Sequence, residues 1–242
     1  MTKQFFDTLP STNQYCELLD LSQVEEFAVF VAREQTAGIG QRGNVWESEA
    51  GKNLTFSMVL KPTWLPAAEQ YGLTKAVSLG LADALSEMMP AGERVSIKWP
   101  NDIYVGRKKI CGILISNKLK GNMLCASIVG VGLNVNQRRF AEWVPNPVSL
   151  SQLTGCEHDL DGLLERVAEA VIRRYGQLRE GVPMDEEYLG CLLNMGMEAG
   201  YRYRGGAIRA TITGVNRFGH LELRQADGAP LVCQLKEIAF VL

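Results

Sequence analysis

The chain has 242 residues, 46% of them hydrophobic and 21% charged, and its 25 basic and 27 acidic side chains give a formal net charge of −2. This composition is typical of a globular protein with a substantial core, and the near-neutral charge argues against nucleic acid or an anionic membrane as a partner. No run approaches the roughly 20 apolar residues that cross a bilayer, and the polar N-terminal segment does not resemble a signal peptide. We therefore expect a cytoplasmic protein.

The cysteines and histidines argue against a zinc centre. Six cysteines are scattered along the chain without a Cys-x-x-Cys pair, and only two histidines are present. Zinc sites need closely spaced ligands of these types, so none is expected. We interpret the cysteines as small buried hydrophobic residues in a reducing compartment.

The first third of the chain predicts two strands and a long helix. Residues 27–33 are β-branched and aromatic, which indicates a buried strand leading into a glycine-rich loop. Residues 53–60 alternate, which indicates a second strand with one mostly apolar face. Residues 67–89 carry leucine and valine at helical spacing, and Pro90 ends that helix.

The middle of the chain predicts further strands and a second long helix. Residues 94–99 form a short strand that ends in a turn at 100–102. Residues 103–116 predict a hairpin with Gly106 and Arg107 at its tip, and residues 123–135 predict another strand. Residues 160–178 present leucines and valines on one face of a helix.

The last 45 or so residues change character. Alternating strands are interrupted by turn residues at 216–219 and 226–228. This pattern is typical of a small β-barrel or meander separate from a mixed α/β body. We therefore predict two domains, residues 1–192 and residues 193–242.

Residues 38–43 spell Gly-Ile-Gly-Gln-Arg-Gly, the G-x-G-x-x-G pattern of dinucleotide-binding turns. That turn requires a helix directly after the glycines and an acidic residue about 20 positions later. Here a loop and a strand follow, and Leu60 and Lys61 are not acidic. A Rossmann turn is therefore not expected, and a Walker A loop is not expected because no Gly-Lys-Ser/Thr follows. The segment is either a loop that folds over an anionic ligand, using Arg42 and Trp46, or a solvated surface loop.

Four further clusters carry polar groups at element ends. Residues 11–13, Ser-Thr-Asn, either bind a ligand or cap a helix. In Lys98-Trp-Pro-Asn-Asp102, the carboxylate is suited to Mg²⁺ or to orienting the lysine. Lys109 precedes a small-residue gap at Cys111-Gly112, or belongs to a solvated hairpin tip. Residues 129–136 place glycines inside a strand, where something must pack closely.

Taken in order, these five clusters resemble the motif series of the biotin–protein ligases. The resemblance covers residues 8–136 motif by motif and continues more loosely to the C-terminus. It implies an α+β fold in which a class II synthetase-like catalytic domain, a mixed sheet flanked by helices, precedes an SH3-like β-barrel. It also implies an enzyme that uses ATP and Mg²⁺ to convert biotin to biotinyl-5′-AMP, and a biotin carboxyl carrier domain as the acceptor.

The resemblance also implies roles for individual residues. Twelve residues would contact biotin: Ser11, Thr12, Asn13, Gln35, Gly38, Ile39, Gly40, Gln41, Lys109, Gly112, Gly130 and Gly132. Six would contact the nucleotide: Arg42, Trp46, Lys98, Asn101, Asp102 and Asn134. Lys109, Arg42 and Asp102 would take part in the chemistry, with Asp102 either binding the metal or activating the acceptor lysine. Phe140 or Trp143 would stack on adenine, or pack in the core.

The sequence departs from the family pattern in two ways. Ile39 and Gln41 stand where the family loop usually carries arginines, so we expect retention of the adenylate to depend on Arg42 and Lys109. Members that repress transcription carry an N-terminal helix-turn-helix domain, whereas this chain starts close to the ligand-binding motif, so no DNA-binding role is expected.

Two rival functions are also considered: a lipoate–protein ligase or octanoyl transferase, and a non-catalytic biotin sensor. A monomer and a homodimer are both compatible with the sequence.

Overall fold

A seven-stranded mixed sheet forms the body of the protein. The computed structural model describes residues 1–235 and 237–242, and for Arg42 it describes the backbone alone. The sheet has the order β1-β2-β3-β7-β6-β5-β4, in which β1 and β2 are parallel and the other neighbours antiparallel. Its strands are β1 Lys3–Leu9, β2 Val29–Gln35, β3 Leu54–Leu60, β4 Val95–Lys98, β5 Asp102–Val105, β6 Lys108–Lys120 and β7 Met123–Leu133. The predicted mixed sheet is confirmed.

Helices cover the sheet. They are α1 Thr12–Leu18, α2 Tyr71–Ser86, α3 Leu150–Thr154, α4 Leu160–Arg179 and α5 Asp185–Cys191. The long helices α2 and α4 lie against each other, and a Cβ on Gly80 would come within 2.8 Å of the Val171 backbone. Glycine at this position lets the two helices approach closely, so their apolar faces can share one core with the sheet.

The helix predicted over residues 67–89 is shorter in the structure. Residues Ala67–Glu69 form a separate 3₁₀ turn before α2 begins. At the other end, the amides of Met88 and Met89 donate to carbonyls three residues earlier, at 3.0 and 3.3 Å. The apolar periodicity continues through these tighter turns, which explains why the pattern alone overestimated the helix.

Strand β3 is buried on both faces, where the sequence predicted one mostly apolar face. All seven of its residues are buried, including the hydroxyl residues Thr55 and Ser57. One face packs in the main core, and α1 contacts the strand on the other. The alternating polar residues are therefore enclosed rather than solvated.

The edge strand β1 was not predicted. It pairs through its backbone with β2 only and mixes Lys3, Asp7 and Thr8 with apolar residues, so it carries no strong periodic signal. The neighbouring strand also begins later than expected, because Phe27 adopts a φ of 66°, outside the strand region.

The C-terminal segment forms a separate five-stranded antiparallel sheet. Its order is β11-β10-β9-β8-β12, and turns occur at both predicted positions. The strands are β8 Glu198–Tyr203, β9 Gly206–Val215, β10 Leu221–Gln225, β11 Pro230–Cys233 and β12 Ile238–Phe240. The predicted small β unit is confirmed, while its exact boundary at residue 192 stays a prediction.

Across the described ranges, none of the helices has the length and apolar character to span a bilayer.

The six cysteines are all free thiols, with different exposures. Cys16, Cys111 and Cys233 are buried as predicted, and burial raises the pKa of Cys16 to about 12 and that of Cys233 to about 11. Cys156 is exposed, so the expectation of burial was wrong for this residue. It directly follows the left-handed Gly155 that ends α3, a position at the surface.

Candidate functional site

A cavity of about 350 Å³ lies between the main sheet and the C-terminal sheet. The N-terminus of α1, the glycine loop, the turn after β4 and the inner parts of β6 and β7 surround it, and β12 adds a wall. Most residues predicted to bind ligands line it: Ser11, Thr12, Asn13, Gln35, Ile39, Gly40, Gln41, Trp46, Lys98, Asn101, Asp102, Lys109, Gly112, Gly130 and Gly132.

One end of the cavity carries neutral hydrogen-bonding groups. Ser11 caps α1 by accepting from the Gln14 amide, so the capping interpretation is right and does not exclude a place in the cavity. The Thr12 amide donates to the Gln35 side-chain oxygen at 2.7 Å, and its hydroxyl accepts from Ser57 Oγ at 2.9 Å. Because Ser57 donates, the Thr12 hydroxyl keeps its own proton for a ligand acceptor.

Asn13 completes this neutral end. Its amide nitrogen donates to the Leu114 carbonyl at 3.3 Å, and its oxygen accepts from Ser116 Oγ at 3.4 Å. A Cβ on Gly130 would lie 2.7 Å from the Asn13 side-chain nitrogen, so a larger residue at that point of β7 would displace the Asn13 amide. The amide is thereby held in one orientation at the cavity wall.

The other end of the cavity carries charge. Lys109 Nζ and Asp102 Oδ1 form an ion pair at 2.8 Å. One interpretation of the sequence gave Lys98 as the partner of Asp102, whereas in the structure the partner is Lys109. Among the lining side chains that the structure describes, Lys98, Asp102 and Lys109 are the charged ones. Two cations against one carboxylate leave this end positive, which suits an anionic ligand.

Lys98 is half-enclosed by aromatic rings. Its Nζ lies 5.0 Å from the ring centre of Phe240 and 5.6 Å from that of Tyr104. Burial lowers the pKa of Lys98, the negative charge of Asp102 partly offsets that effect, and the positive charge of Lys109 adds to it. An anion that binds beside Lys98 would raise this lowered pKa again, because a nearby negative charge stabilises the charged form of the lysine.

The positions of Lys109 and Asn101 follow from the hairpin β5–β6. Lys108 is exposed at the tip, whereas Lys109 points into the cavity, so the solvated-tip interpretation was wrong for Lys109. The Lys109 amide donates to the Asn146 carbonyl at 2.7 Å, which ties the strand to the segment 144–148. Asn101 donates through its side chain to the Ile113 carbonyl and so fixes the turn after β4 to β6.

The glycine loop forms a small hairpin of its own. Ile39 bridges Val45, and the Gly40 amide donates to the Asn44 carbonyl at 2.6 Å. The loop contains a 3₁₀ turn, Gln41–Gly43, but β3 follows it in place of an α-helix, which confirms that this is not a dinucleotide-binding turn. Gly38 does not line the cavity. It lies at the base of the hairpin, where a Cβ would be 2.5 Å from the Trp46 carbonyl. The Arg42 side chain lies outside what the structure describes.

The Trp46 indole occupies the gap left by the strand glycines. A Cβ on Gly132 would lie 2.3 Å from its ring and one on Gly112 2.9 Å from it. Its ring centre is 5.3 Å from Lys109 Nζ, and its buried Nε1 has no hydrogen-bond partner among the described residues. The glycines do mark a close approach as predicted, and in this structure the approaching group is an indole.

A second cavity of about 460 Å³ lies on the far side of Trp46. Phe140, Trp143 and Asn134 line it, together with Lys109. The Asn134 side-chain Nδ2 donates to the Val148 carbonyl at 3.1 Å, so this side chain fixes the main chain beside the cavity. Trp143 is 59% exposed, which contradicts the core-packing alternative for its indole.

Sequence reasoning missed several residues at the first cavity. Ser57 and Ser116 support Thr12 and Asn13, and the segment from the C-terminal sheet contributes a wall formed by Leu235, Ile238, Ala239 and Phe240. The alternating hydroxyl residues of β3 could have indicated Ser57, but only with the knowledge that both faces of that strand are covered. The C-terminal residues carry no local signal of this kind.

A metal site built from the protein alone is not found among the described residues, which contain no cluster of three histidine, cysteine, aspartate or glutamate side chains. Asp102 is a single carboxylate facing a positively charged end of the cavity. Mg²⁺ is commonly held by one or two carboxylates together with substrate phosphates, so this donor set fits a metal that arrives with a phosphate ligand.

Comparisons with known proteins agree with this geometry. The model of the biotin/lipoate A/B protein ligase family matches residues 5–134. The chain is 36% identical over 154 residues to a biotin–[acetyl-CoA-carboxylase] ligase of Paracoccus denitrificans, covering 61% of this chain and 62% of the relative. It is 29% identical over 229 residues to the bifunctional ligase/repressor BirA of Bacillus subtilis, covering 93% of this chain and 70% of the relative.

Solved structures share the whole architecture. The biotin protein ligase of Aquifex aeolicus in complex with biotin and ATP superimposes with a TM-score of 0.81 at 25% identity, covering 99% of this chain and 98% of that chain. The biotin protein ligase of Leishmania major in complex with biotinyl-5-AMP gives a TM-score of 0.65 at 23% identity, over 96% of this chain and 98% of that chain, which compares the fold alone.

Proposed function

Because this chain belongs to the biotin/lipoate A/B protein ligase family, we propose that it activates biotin with ATP and transfers it to a lysine of a biotin carboxyl carrier domain. The observation that carries the proposal is the division of one cavity into a neutral hydrogen-bonding end and a positively charged end. Biotin has the same two parts, a polar ureido ring and a carboxylate. The ring would lie against Thr12 and Asn13, and the carboxylate would point towards Lys109.

In the first step, a biotin carboxylate oxygen attacks the α-phosphorus of ATP. The bond to the bridging oxygen breaks, and biotinyl-5′-AMP and pyrophosphate form. Two anions must meet in this step, and Lys109 and Lys98 are suited to reduce their repulsion and to stabilise the charge on the transferring phosphorus. Asp102 orients Lys109 through their ion pair. It is also the residue that would hold Mg²⁺, which would neutralise phosphate charge.

In the second step, the neutral amine of the carrier lysine attacks the acyl carbon of the mixed anhydride. The amide bond forms, the acyl–oxygen bond breaks, and AMP and a proton leave. Water must be kept from the anhydride until the carrier arrives. The glycine-loop hairpin on one side and β12 on the other enclose the cavity, which supports this requirement.

The neutral end favours biotin over lipoate. Ser57, Thr12 and Asn13 are almost fully buried polar residues that face the cavity or support it. A ureido group offers both a carbonyl acceptor and N–H donors to such residues. The disulfide ring of lipoate offers neither, so binding it would leave the proton of the Thr12 hydroxyl and the second N–H of the Asn13 side chain without acceptors, at a cost of about 1–3 kcal/mol for each group.

The test is biotin-dependent exchange of labelled pyrophosphate into ATP. We expect exchange with biotin and not with lipoate or octanoate, and its loss in Lys109→Ala. Exchange driven by lipoate would instead support the lipoate ligase alternative. Measurable biotin binding without any exchange would support the non-catalytic sensor. Transfer to a purified biotin carboxyl carrier domain then tests the second step.

A further inference from the structure

The turn between β9 and β10 lies directly on helix α2. Gly219 in this turn has a φ of 85°, which favours glycine, and a Cβ there would come within 2.2 Å of the Tyr71 ring. The Tyr71 hydroxyl in turn lies 2.7 Å from the Tyr188 hydroxyl. The C-terminal sheet therefore contacts the main body through backbone pressed against a buried aromatic ring, a contact that no larger residue could make.

The same turn is bonded to the segment that enters the charged end of the cavity. Trp99 is 3% exposed, and its indole Nε1 donates to the Gly219 carbonyl at 2.9 Å. Trp99 directly follows Lys98 and begins the turn 99–101, which leads through Asn101 to Asp102 at the start of β5. A displacement of the Gly219 carbonyl would therefore leave a buried donor without its partner in the middle of this segment.

The orientation of the Gly219 carbonyl is fixed within its own turn. The Asn216 side-chain oxygen accepts from the amides of Phe218 and His220, at 3.0 and 3.1 Å. The Gly219 amide donates to the Asn216 carbonyl at 2.9 Å. These hydrogen bonds lie within the turn and do not involve Trp99. The Gly219 carbonyl is therefore held rigidly, as a group that positions another residue must be.

Two neighbouring residues are also contacted from the C-terminal part of the chain. The Ile97 carbonyl accepts from the Leu193 amide at 2.9 Å. The Lys98 ammonium lies 5.0 Å from the centre of the Phe240 ring. Three consecutive residues, 97–99, are each held by a group more than 90 positions later in the sequence.

We propose that Gly219 and Phe240 are positioning residues, which hold residues 98–102 in the geometry that the nucleotide needs. This inference rests on the proposed function and extends it to the C-terminal sheet. The neutral end is built without that sheet, since Thr12 and Asn13 are supported by Gln35, Ser57 and β6. Changes at Gly219 or Phe240 therefore raise the apparent KM for ATP and leave the affinity for biotin unchanged.

The experiment compares apparent KM values for ATP and for biotin in pyrophosphate exchange, together with the Kd for biotin in the absence of ATP. Trp99→Phe removes the donor to Gly219 while keeping an aromatic ring, and Phe240→Leu removes the ring above Lys98. A lost buried hydrogen bond of about 1.5 kcal/mol corresponds to a roughly tenfold change. We expect KM for ATP to rise about tenfold in Trp99→Phe and several-fold in Phe240→Leu, with the biotin Kd within twofold of wild type.

Matched controls separate positioning from loss of structure. Phe218→Ala alters the same turn at a side chain that is 51% exposed, and it should leave both KM values unchanged. Phe240→Tyr keeps the ring and should raise the KM for ATP less than Phe240→Leu does. Gly219→Ala should show the largest rise, and thermal unfolding checks that each variant is folded.

The outcomes are distinguishable from a failure of the proposed function. If the wild type shows no exchange, the proposed function itself is wrong. If the wild type exchanges but folded Trp99→Phe and Phe240→Leu keep the wild-type KM for ATP, the positioning role is overturned. An equal loss of affinity for biotin and ATP would also overturn it, since that result indicates a general structural effect.

Discussion

The two ends of the cavity are built in different ways. The neutral end is a network of hydrogen bonds within the main sheet and α1, made by Thr12, Asn13, Gln35 and Ser57. The charged end combines an ion pair with a half-buried lysine that lies between a ring of the main sheet, Tyr104, and a ring of the C-terminal sheet, Phe240. Neutral hydrogen bonds between buried groups depend on geometry, whereas the charged end also depends on pH and on contacts from a distant segment. Substitutions at the two ends should therefore have separable effects.

The largest expected effect is at Lys109. Lys109→Ala removes a cation from the place where the carboxylate and the α-phosphate meet, and it leaves Asp102 without its partner. Removing one group that stabilises transition-state charge typically lowers kcat by about 10²–10³-fold. Pyrophosphate exchange measures the loss. Lys108→Ala changes the adjacent exposed lysine and should keep full activity. Similar rates in the two variants would contradict a special role for Lys109.

The neutral end is tested by Ser57→Ala. This change removes the donor to the Thr12 hydroxyl, a buried group, at a cost of about 1–3 kcal/mol. We expect KM for biotin to rise about tenfold or more, with KM for ATP unchanged. Thr55→Val on the same strand removes a hydroxyl that bonds the Ala32 carbonyl away from the cavity, and it should affect unfolding rather than KM. A rise in KM for ATP alone would refute the assignment of this end to biotin.

Lys98 predicts a pH dependence confined to the charged end. Burial lowers the pKa of Lys98, so its charge is lost at a lower pH than that of a solvated lysine. As pH rises through this lowered pKa, kcat/KM for ATP should fall, because a neutral amine cannot attract the phosphates. Arginine stays charged throughout this range, so Lys98→Arg should shift the alkaline fall to higher pH. Identical alkaline profiles would show that another group is responsible.

A smaller effect is expected at Arg42. With Ile39 and Gln41 uncharged, we expect Arg42 and Lys109 to be the main cations that retain biotinyl-5′-AMP. Arg42→Ala should therefore release the adenylate several-fold faster, measured as labelled adenylate that passes a desalting column after a fixed time. Arg107→Ala, at the hairpin tip, is the control. Equal release by wild type and Arg42→Ala would refute this role.

Much of the fold and part of the site could be predicted from local patterns. The long helices, the strands β2, β3 and β7, the β5–β6 hairpin and the C-terminal sheet all have clear periodicity or turn residues. The motif order brought Ser11–Asn13, the glycine loop and Lys98–Asp102 into one site before any contact was known. The limits of α2 and the strand β1 were missed, because helical periodicity continues through 3₁₀ turns and an edge strand carries mixed residues.

The sequence by itself determined which residue types are available and where the backbone bends: glycines where an indole or an amide must approach, hydroxyls at a helix start, and lysines beside a tight hairpin. Only the tertiary structure decided which of these groups meet. Ser57 supports Thr12 across 45 positions, and Gly219 accepts from Trp99 across 120. The physical reason is that such contacts depend on how sheets and helices pack, and packing between distant segments leaves no periodic trace in either segment alone.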